Sequence, residues 1–333
     1  MSAPFPSTAS GALPLGENHA AVENLRRWIL AGLIGRKSLV ERLMIALLTG
    51  GHVLIEGAPG LAKTRAVKRL AEGVSCQFAR LQCTPDLLPS DLTGTNVFRP
   101  DHGGFEFIAG PLFHSLILVD EINRAPPKVQ SALLEAMAEA QVTVAGETRP
   151  LPNPFMVVAT QNPIEQEGTF PLPEAQLDRF QMHVLVDYPD SSEERAILDL
   201  VDEETSHHTH APAPLLDKAT ILAGAADVAR VHLSPTMKDY IVRLVMATRE
   251  PKYAPDVRKS IAHPVSPRGT LALAAAVRAR AYLQGRDFGL PEDAVELGPD
   301  VLAHRLIPTW QDRAEGVTAR SLIARLIDAV PPL

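Results

Sequence analysis

The chain has 333 residues, of which 46% are hydrophobic, and its 32 lysines and arginines are outnumbered by 39 aspartates and glutamates. This length predicts about two domains. The formal charge of −7 argues against a protein that coats nucleic acid or an anionic membrane, because both need a basic surface. Two cysteines are too few for a disulfide framework or for a zinc site of their own, which favours a reducing cytoplasm.

The N-terminal 20 residues are rich in serine, proline, alanine and glycine, with a single charge at Glu17. This composition predicts a disordered tail over residues 1–20, outside the fold. The segment lacks the basic and apolar regions of a secretory signal. No run of 18 apolar residues occurs in the sequence, so we expect no membrane span and a soluble, cytoplasmic protein.

The pattern of apolar residues changes after residue 49. Residues 21–49 have the three- and four-residue spacing of two amphipathic helices, interrupted at Ile34-Gly35. Five short apolar runs then follow, separated by helical or irregular stretches, at residues 52–56, 77–81, 116–119, 155–159 and 182–186. Such runs are typical of buried parallel strands, so we predict an α/β fold with a five-stranded parallel sheet and helices on both faces. We expect its core to include Val53, Leu54, Leu116, Leu118, Val157 and Val158.

A second, all-helical domain is predicted from residue 190 onward, because the strand patterns end there. Helical spacing covers residues 192–201, 217–230, 235–249, 268–284 and 291–306. Between the first two helices lie His207, His208 and His210, whose density allows a metal site. The prolines around them favour an ordinary loop instead, and no carboxylate–histidine helix motif frames them.

The strongest motif lies between the first predicted strand and a predicted helix. It consists of Gly57, Ala58, Pro59, Gly60, Leu61, Ala62, Lys63 and Thr64. Successive backbone N–H groups there converge on phosphate at a helix N-terminus, Lys63 adds a mobile cation, and the Thr64 hydroxyl suits Mg²⁺. Ala62 stands where the general pattern has a second glycine, which is acceptable if its backbone is right-handed. The alternative is a chance Gly/Pro turn before a helix.

Two carboxylates follow the strand at residues 116–119. Phosphate-loop NTPases need such a pair: Asp120 to hold Mg²⁺ through water, and Glu121 to polarise the attacking water. The alternative is an ordinary strand with a polar turn. Because both motifs occur in the required order, we expect a nucleotide site at the carboxyl ends of the parallel strands.

Three further polar residues are placed near that site by the predicted elements. Asn162 follows the fourth strand and is suited to orient water against a phosphate. Arg179 precedes the last strand, where a solvated helix end or an ion pair with Asp178 is the alternative to a catalytic role. Arg268 opens a helix of the second domain, either to reach back to a phosphate or as a solvated first-turn arginine.

From about residue 21 to its end, the sequence resembles the MoxR family of AAA+ ATPases. Four ordered motifs carry this resemblance: GAPGLAKT, LVDEINRAPPKVQSALLEAMAE, ATQNPIEQEGTFPLPEAQLDRF and SPRG. The resemblance implies an AAA+ nucleotide-binding domain over residues 21–189, with hairpin inserts, and a helical lid over residues 190–333. Alanine at position 62 is similar to what this family itself carries.

The resemblance also implies ATP and Mg²⁺ as ligands and assigns roles to individual residues. Lys63 and Thr64 belong to Walker A, Asp120 and Glu121 to Walker B, Asn162 to sensor 1, Arg179 to a trans-acting arginine finger and Arg268 to sensor 2, with Ile34 and Gly35 beside the adenine.

Two segments have the pattern of β-hairpins, at residues 93–111 and 141–151. In similar proteins such hairpins extend toward a central pore and contact the client. The alternative is a pair of passive surface hairpins.

The resemblance implies a chaperone that hydrolyses ATP and remodels or matures protein clients. It further implies a ring, expected to be a hexamer, and a partner with a von Willebrand factor A domain. One alternative is a DNA-associated AAA+ motor, against which the acidic composition counts. The other is a non-hydrolysing nucleotide switch, which the intact Asp120-Glu121 pair disfavours.

Overall fold

The computed structural model describes residues 16–101, 103–163, 168–206, 213 and 215–332, with the backbone alone for residues 203–206. The elements up to the last strand of the main sheet are α1 (Glu17–Ala31), α2 (Lys37–Thr49), β1 (Val53–Gly57), α3 (Lys63–Gly73), β2 (Phe78–Gln82), α4 (Pro89–Thr93), β3 (Gly94–Arg99), β4 (Gly104–Ala109), β5 (Leu116–Asp120), α5 (Pro127–Glu139), β6 (Gln141–Val144), β7 (Glu147–Pro150), β8 (Met156–Gln161), α6 (Glu174–Leu177) and β9 (Met182–Val186).

The elements that follow are α7 (Ser191–Ser206), α8 (Lys218–Arg230), α9 (Pro235–Ala247), α10 (Pro255–Lys259), β10 (Ile261–His263), α11 (Pro267–Leu283), α12 (Pro291–Leu302), β11 (Ile307–Pro308), α13 (Trp310–Ala314) and α14 (Ala319–Ala329). Short 3₁₀ turns lie at Pro111–Phe113, Ile122–Arg124 and Ala303–Arg305.

The main sheet has five parallel strands in the order β2-β5-β8-β1-β9. All five predicted strands are confirmed, each shifted by no more than two residues. The expected core residues are also confirmed, since Val53, Leu54, Leu116, Leu118, Val157 and Val158 are at most 2% exposed. Apolar side chains on both faces of one strand require cover on both faces, and helices supply it.

The two faces of the sheet belong to two separate apolar clusters. Leu54, Ile117 and Val157 face α5, whereas Val53, Leu118 and Val158 face a larger core. That larger core contains α1, α2 and α3 together with helices of the C-terminal half, so both halves of the chain share it. Helices of the C-terminal half are therefore packed directly against the two N-terminal helices.

The first helix begins earlier than predicted, which corrects the expected tail over residues 1–20. α1 starts at Glu17, and its first turn is held by the C-terminal half of the chain. The Asn18 amide lies 3.4 Å from the Asp227 carboxylate, and the His19 ring nitrogen lies 2.9 Å from the carbonyl oxygen of Tyr282. Residues 1–15 lie outside the described residues.

Where the structure describes it, the C-terminal half is helical, as predicted, apart from a short antiparallel ladder between β10 and β11 that the helical spacing does not indicate. The sheet ends at Val186 and α7 begins at Ser191, on either side of the expected boundary. His207, His208 and His210 lie outside the described residues. Among the residues that are described, no helix is long and apolar enough to cross a membrane.

Both predicted hairpins are present. β3 pairs antiparallel with β4, and β6 pairs antiparallel with β7. The two hairpins touch each other, because the Arg149 guanidinium lies 4.1 Å from the centre of the Phe107 ring. At this distance the cation is attracted to the ring face. The outer ends of the β3–β4 strands carry Phe98 and Phe105, whose exposed rings are 5.5 Å apart in an edge-to-face arrangement.

Candidate nucleotide-binding site

A cleft of about 340 Å³ opens at the carboxyl ends of the parallel strands. It is lined by Pro59, Gly60, Leu61, Ala62, Lys63, Thr64, Arg65, Arg80, Gln82, Asp120, Glu121, Thr160, Gln161 and Asn162. These residues come from the ends of β2, β5 and β8 and from the loop after β1, which are neighbours in the sheet. The parallel order thus brings the two predicted motifs to one edge, as the sequence indicates.

The loop between β1 and α3 turns through two residues with positive φ. Gly60 has φ +82°, a conformation that glycine adopts without steric cost. Ala62 has φ +58° and ψ +17°, so the condition under which alanine is acceptable here, a right-handed backbone, is not met. The chain enters α3 directly after Ala62, and the left-handed turn aligns the helix N-terminus with the cleft. For an alanine this conformation costs about 1–2 kcal/mol.

The ammonium group of Lys63 is held against the loop that it follows. It donates to the carbonyl oxygen of Gly57, and lies 3.2 Å from that of Ala58 and 3.4 Å from that of Gln161. Burial lowers the pKa of Lys63, and the nearby carboxylates of Asp120 and Glu121 partly oppose this shift. The cation therefore lies at the base of the cleft, next to two negative charges.

The Asp120 carboxylate is buried at the end of β5 and accepts bonds from three directions. The hydroxyl of Thr64 donates at 3.3 Å and that of Thr160 at 3.2 Å, while the Arg80 guanidinium lies 2.7 Å away. A carboxylate oxygen beside a threonine hydroxyl is the oxygen donor set that Mg²⁺ prefers. These two side chains fit a magnesium ion by the chemistry of their donors.

Glu121 occupies a left-handed turn at φ +57°, immediately after the strand. Its backbone N–H donates to the Thr160 hydroxyl at 3.0 Å, which stabilises this turn. Its carboxylate accepts from the Gln82 amide at 3.0 Å and lies 3.1 Å from the Arg124 guanidinium. The side chain is about one-third exposed at the cleft, where it is within reach of solvent.

Two protein-family models match this chain. The model of the ATPase family associated with various cellular activities (AAA) matches residues 52–182, and that of an AAA lid domain matches residues 254–326. Chaperone MoxR1 of Mycobacterium tuberculosis is 43% identical over 300 residues, which are 90% of this chain and 78% of that protein. The chain belongs to the MoxR family of AAA+ ATPases.

Two further relatives agree with this assignment. Protein MoxR of Methylorubrum extorquens is 32% identical over 331 residues and covers 93% of this chain and 95% of its own length. A crystal structure described as an ATPase from Cytophaga hutchinsonii has a TM-score of 0.85 and 40% identity, over 95% of this chain and 97% of that one. The predicted family and fold of this MoxR-family protein are confirmed.

The structure does not bring every predicted site residue of this MoxR-family chain into the cleft. Asn162 lines it and is 5% exposed. Ile34 and Gly35 lie outside it, and Gly35 packs so tightly that a Cβ atom there would be 2.4 Å from the Glu193 side chain.

The two predicted catalytic arginines also lie outside the cleft of their own chain. Arg179 donates to the carbonyl oxygen of Leu134 on α5. The Asp178 carboxylate, the alternative partner of Arg179, instead bonds Arg305 at 2.9 Å. The side chain of Arg268 is 59% exposed, and its guanidinium lies 3.7 Å from Asp178.

The predicted site residues of this MoxR-family protein omit several that line the cleft, among them Arg80, Gln82 and Thr160. Arg80 and Gln82 lie on β2, two residues apart and therefore on one face of the strand. Only the strand order shows that β2 pairs with β5, which places both side chains beside the Asp120-Glu121 pair. The sequence signal for Arg80 and Gln82 is that polar residues alternate with apolar ones along residues 78–82.

Proposed function

We propose that this MoxR-family protein hydrolyses ATP to ADP and phosphate and uses the cycle to remodel protein clients. One observation carries the proposal: the Thr64 hydroxyl, 56 residues away in sequence, donates to the Asp120 carboxylate at 3.3 Å. Glu121 adjoins this pair in the same cleft. Hydroxyl, carboxylate and neighbouring acid are the groups that Mg²⁺-dependent phosphoryl transfer to water requires.

In this proposal each side chain of the cleft has one task. Backbone N–H groups of residues 57–64 and the Lys63 ammonium bind the phosphates. Thr64 and Asp120 would hold Mg²⁺, which when bound neutralises phosphate charge. Glu121 accepts a proton from the attacking water, and Asn162 orients that water. The Gln82 amide, which donates to the Glu121 carboxylate, and the adjacent Arg124 guanidinium orient that carboxylate for this role.

A second cation is needed, and we propose that it comes from another subunit. The Arg179 guanidinium donates to the carbonyl oxygen of Leu134 on α5 and does not line the cleft of its own chain, which supports a role across an interface. Such an arginine contributes about 10³–10⁵ in rate. This arrangement implies a ring, which we propose is a hexamer. Arg268 acts as the lid's sensor of bound nucleotide, and Ile34 and Gly35 flank the adenine.

The proposed action on protein clients is supported by membership of the MoxR family. The Mycobacterium tuberculosis relative is named a chaperone, and we propose the same role here, with a von Willebrand factor A domain protein as partner. The exposed aromatic residues Phe98 and Phe105 support a client-contacting role for the β3–β4 hairpin. Exposed aromatic side chains of this kind are enriched at protein interfaces.

The test is steady-state phosphate release by the purified protein. Glu121→Gln keeps the shape of the side chain but removes the base, so we expect ATP to bind while turnover falls by about 10²–10⁴. Arg179→Ala has the same expected pattern. Glu147→Gln, an exposed carboxylate on the β6–β7 hairpin, is the matched control and retains parental turnover. Unchanged turnover in Glu121→Gln contradicts the proposal, and stimulation of turnover by DNA favours a DNA motor instead.

A further inference from the structure

The segment that carries Arg179 is held in place by the C-terminal half of the chain. Arg179 lies between the four-residue helix α6 and the strand β9. The Arg305 guanidinium, with only 2% of its side chain exposed, donates to the carbonyl oxygens on both sides of it. These are the carbonyls of Asp178 at 3.3 Å and Phe180 at 2.6 Å. The backbone of Arg179 is therefore fixed at both ends by one lid residue.

The side chain of Asp178 makes a second connection to the lid. Its carboxylate accepts from Arg305 Nε at 2.9 Å and from the Ser266 hydroxyl at 3.0 and 3.1 Å. Ser266 is the residue immediately before α11, which begins at Pro267 and carries Arg268 in its first turn. One carboxylate thus joins the start of α11, the 3₁₀ turn Ala303–Arg305 after α12 and the Arg179 segment.

These contacts are strong because they are buried and charged. Burial lowers the pKa of Arg305 to about 10, and the Asp178 carboxylate opposes this shift, so the guanidinium stays charged at neutral pH. Hydrogen bonds between charged groups are roughly twice as strong as neutral ones and fix orientation. Asp178 and Arg305 do not line the cleft, so neither is placed to touch the nucleotide of its own chain.

We propose that Asp178, held by Arg305 and Ser266, is a positioning residue that sets the orientation from which Arg179 reaches the neighbouring subunit. This inference rests on the proposed function, in which Arg179 acts across the interface. Because Arg268 approaches the same carboxylate, movement of α11 in one subunit changes the presentation of Arg179 to the next.

A mixture of two variants tests the proposal. Subunits with Asp178→Asn keep an intact cleft, whereas subunits with Lys63→Ala keep an intact Arg179 segment. Alone, Asp178→Asn is expected to turn over ATP about 10–100-fold more slowly with ATP affinity within about twofold of the parent, because a 1 Å misplacement has that effect. In the mixture turnover recovers, since Lys63→Ala neighbours supply a correctly oriented Arg179.

Two outcomes overturn the proposal. One is a mixture no faster than the sum of its separate components, and the other is a loss of ATP affinity in Asp178→Asn. The mixture of Arg179→Ala with Lys63→Ala is the reference for the proposed function. If that reference shows no recovery, the trans role of Arg179 fails, whatever Asp178 does.

Asp300→Asn is the matched control. Asp300 is also a buried carboxylate that ties α12 to the N-terminal half, through an ion pair with Arg42 at 2.9 Å. Its loss is expected to lower the free energy of unfolding without changing turnover. If Asp300→Asn slows turnover and the mixture rescues it equally, the effect is a general loosening of the lid and the proposal is wrong.

Ser266→Ala gives a result even if Asp178→Asn does not fold. It removes the single hydroxyl donor that lies near both oxygens of the Asp178 carboxylate but leaves the buried ion pair between Asp178 and Arg305 intact. We expect turnover about two- to fivefold below the parent, corresponding to the loss of an ordinary hydrogen bond, and recovery in the mixture with Lys63→Ala. Parental turnover in a folded Ser266→Ala protein contradicts the proposal.

Discussion

The Arg80 guanidinium lies 2.7 Å from the Asp120 carboxylate, at the strand end where we propose that Mg²⁺ binds. Arg80 lies on β2, and its side chain is 45% exposed at the cleft. Asp120, which the sequence predicts to be a metal ligand, therefore already has a cationic partner in the folded protein. A metal ion and this guanidinium compete for the same negative charge.

Arg80→Ala is expected to lower the Mg²⁺ concentration that gives half-maximal ATP turnover. Removing a partly exposed cation is worth up to about 1 kcal/mol, which corresponds to a factor of about two to five. The measurement is a Mg²⁺ titration at saturating ATP. Arg99→Ala, which breaks an exposed ion pair with Glu106 on the β3–β4 hairpin, is the control and leaves the titration unchanged. A higher Mg²⁺ requirement in Arg80→Ala contradicts the prediction.

Lys63→Ala is expected to weaken ATP binding itself, in contrast to Glu121→Gln. The variant loses a cation at the base of the cleft as well as the bonds that this cation makes to the loop. Loss of a charged hydrogen bond is worth about 1.5–3 kcal/mol, so the Kd rises by about 10–150-fold. Titration calorimetry with ATP measures this change. Lys68 lies at an exposed position on the same helix, and Lys68→Ala is the control that keeps the parental Kd.

Ala62→Gly is expected to stabilise the protein in the absence of nucleotide. The left-handed backbone at φ +58° is strained for alanine and free for glycine, while glycine increases the entropy of the unfolded chain. The net gain is about 0.5–1 kcal/mol in the free energy of unfolding. Denaturant titration measures it. Ala66 is buried inside α3, so Ala66→Gly is expected to lower the free energy of unfolding, by about 1 kcal/mol.

The free energy of unfolding is expected to fall in mild acid because of His52. Its Nδ1 accepts from the N–H of Val157 at 3.0 Å, and its Nε2 lies 3.2 Å from the carbonyl oxygen of Met137. Burial lowers the pKa of His52 from 6.5 to about 4. The neutral ring is favoured in the folded state, so its contribution is complete above pH 6.5 and is lost as the pH falls toward 4.

His52→Gln is expected to reduce this acid sensitivity without abolishing it, because burial also lowers the pKa of His304. Denaturant midpoints compared between about pH 7 and pH 5 measure how steeply the free energy of unfolding changes with pH. His263→Gln, an exposed residue on β10, is the control and leaves the slope as it is in the parent. An undiminished slope in His52→Gln refutes the assignment to this histidine.

Local patterns in the sequence are sufficient for the sheet and for part of the site. Lys63 and Thr64 are adjacent and follow β1 through the loop at residues 58–62, while Asp120 and Glu121 are adjacent at the end of β5. The apolar residues of both strands reveal them in the sequence. A buried parallel strand needs a continuous apolar run, and a phosphate-binding loop needs a strand before it and a helix after it. These requirements are local, so they can be recognised without knowledge of the fold.

The same local information does not determine backbone conformation inside a turn. The sequence is compatible with a right-handed Ala62, and the fold requires a left-handed one because the chain must enter α3 at once. Similarly, residues 17–20 have the composition of a tail, yet contacts with Asp227 and Tyr282 draw Asn18 and His19 into a helix. In both cases tertiary contacts outweigh a local preference.

The sequence by itself determined the family, the five strands, the loop that ends in Lys63-Thr64 and the acidic pair after β5. Only the tertiary structure decided that Arg80 lies against Asp120, and that Arg305 holds the segment containing Arg179 from a position more than 120 residues away. The physical reason is that side-chain partners distant in sequence are selected by strand order and by packing of the lid. The hydrophobic periodicity of the sequence does not predict the contact of Arg80 with Asp120 or that of Arg305 with the Arg179 segment.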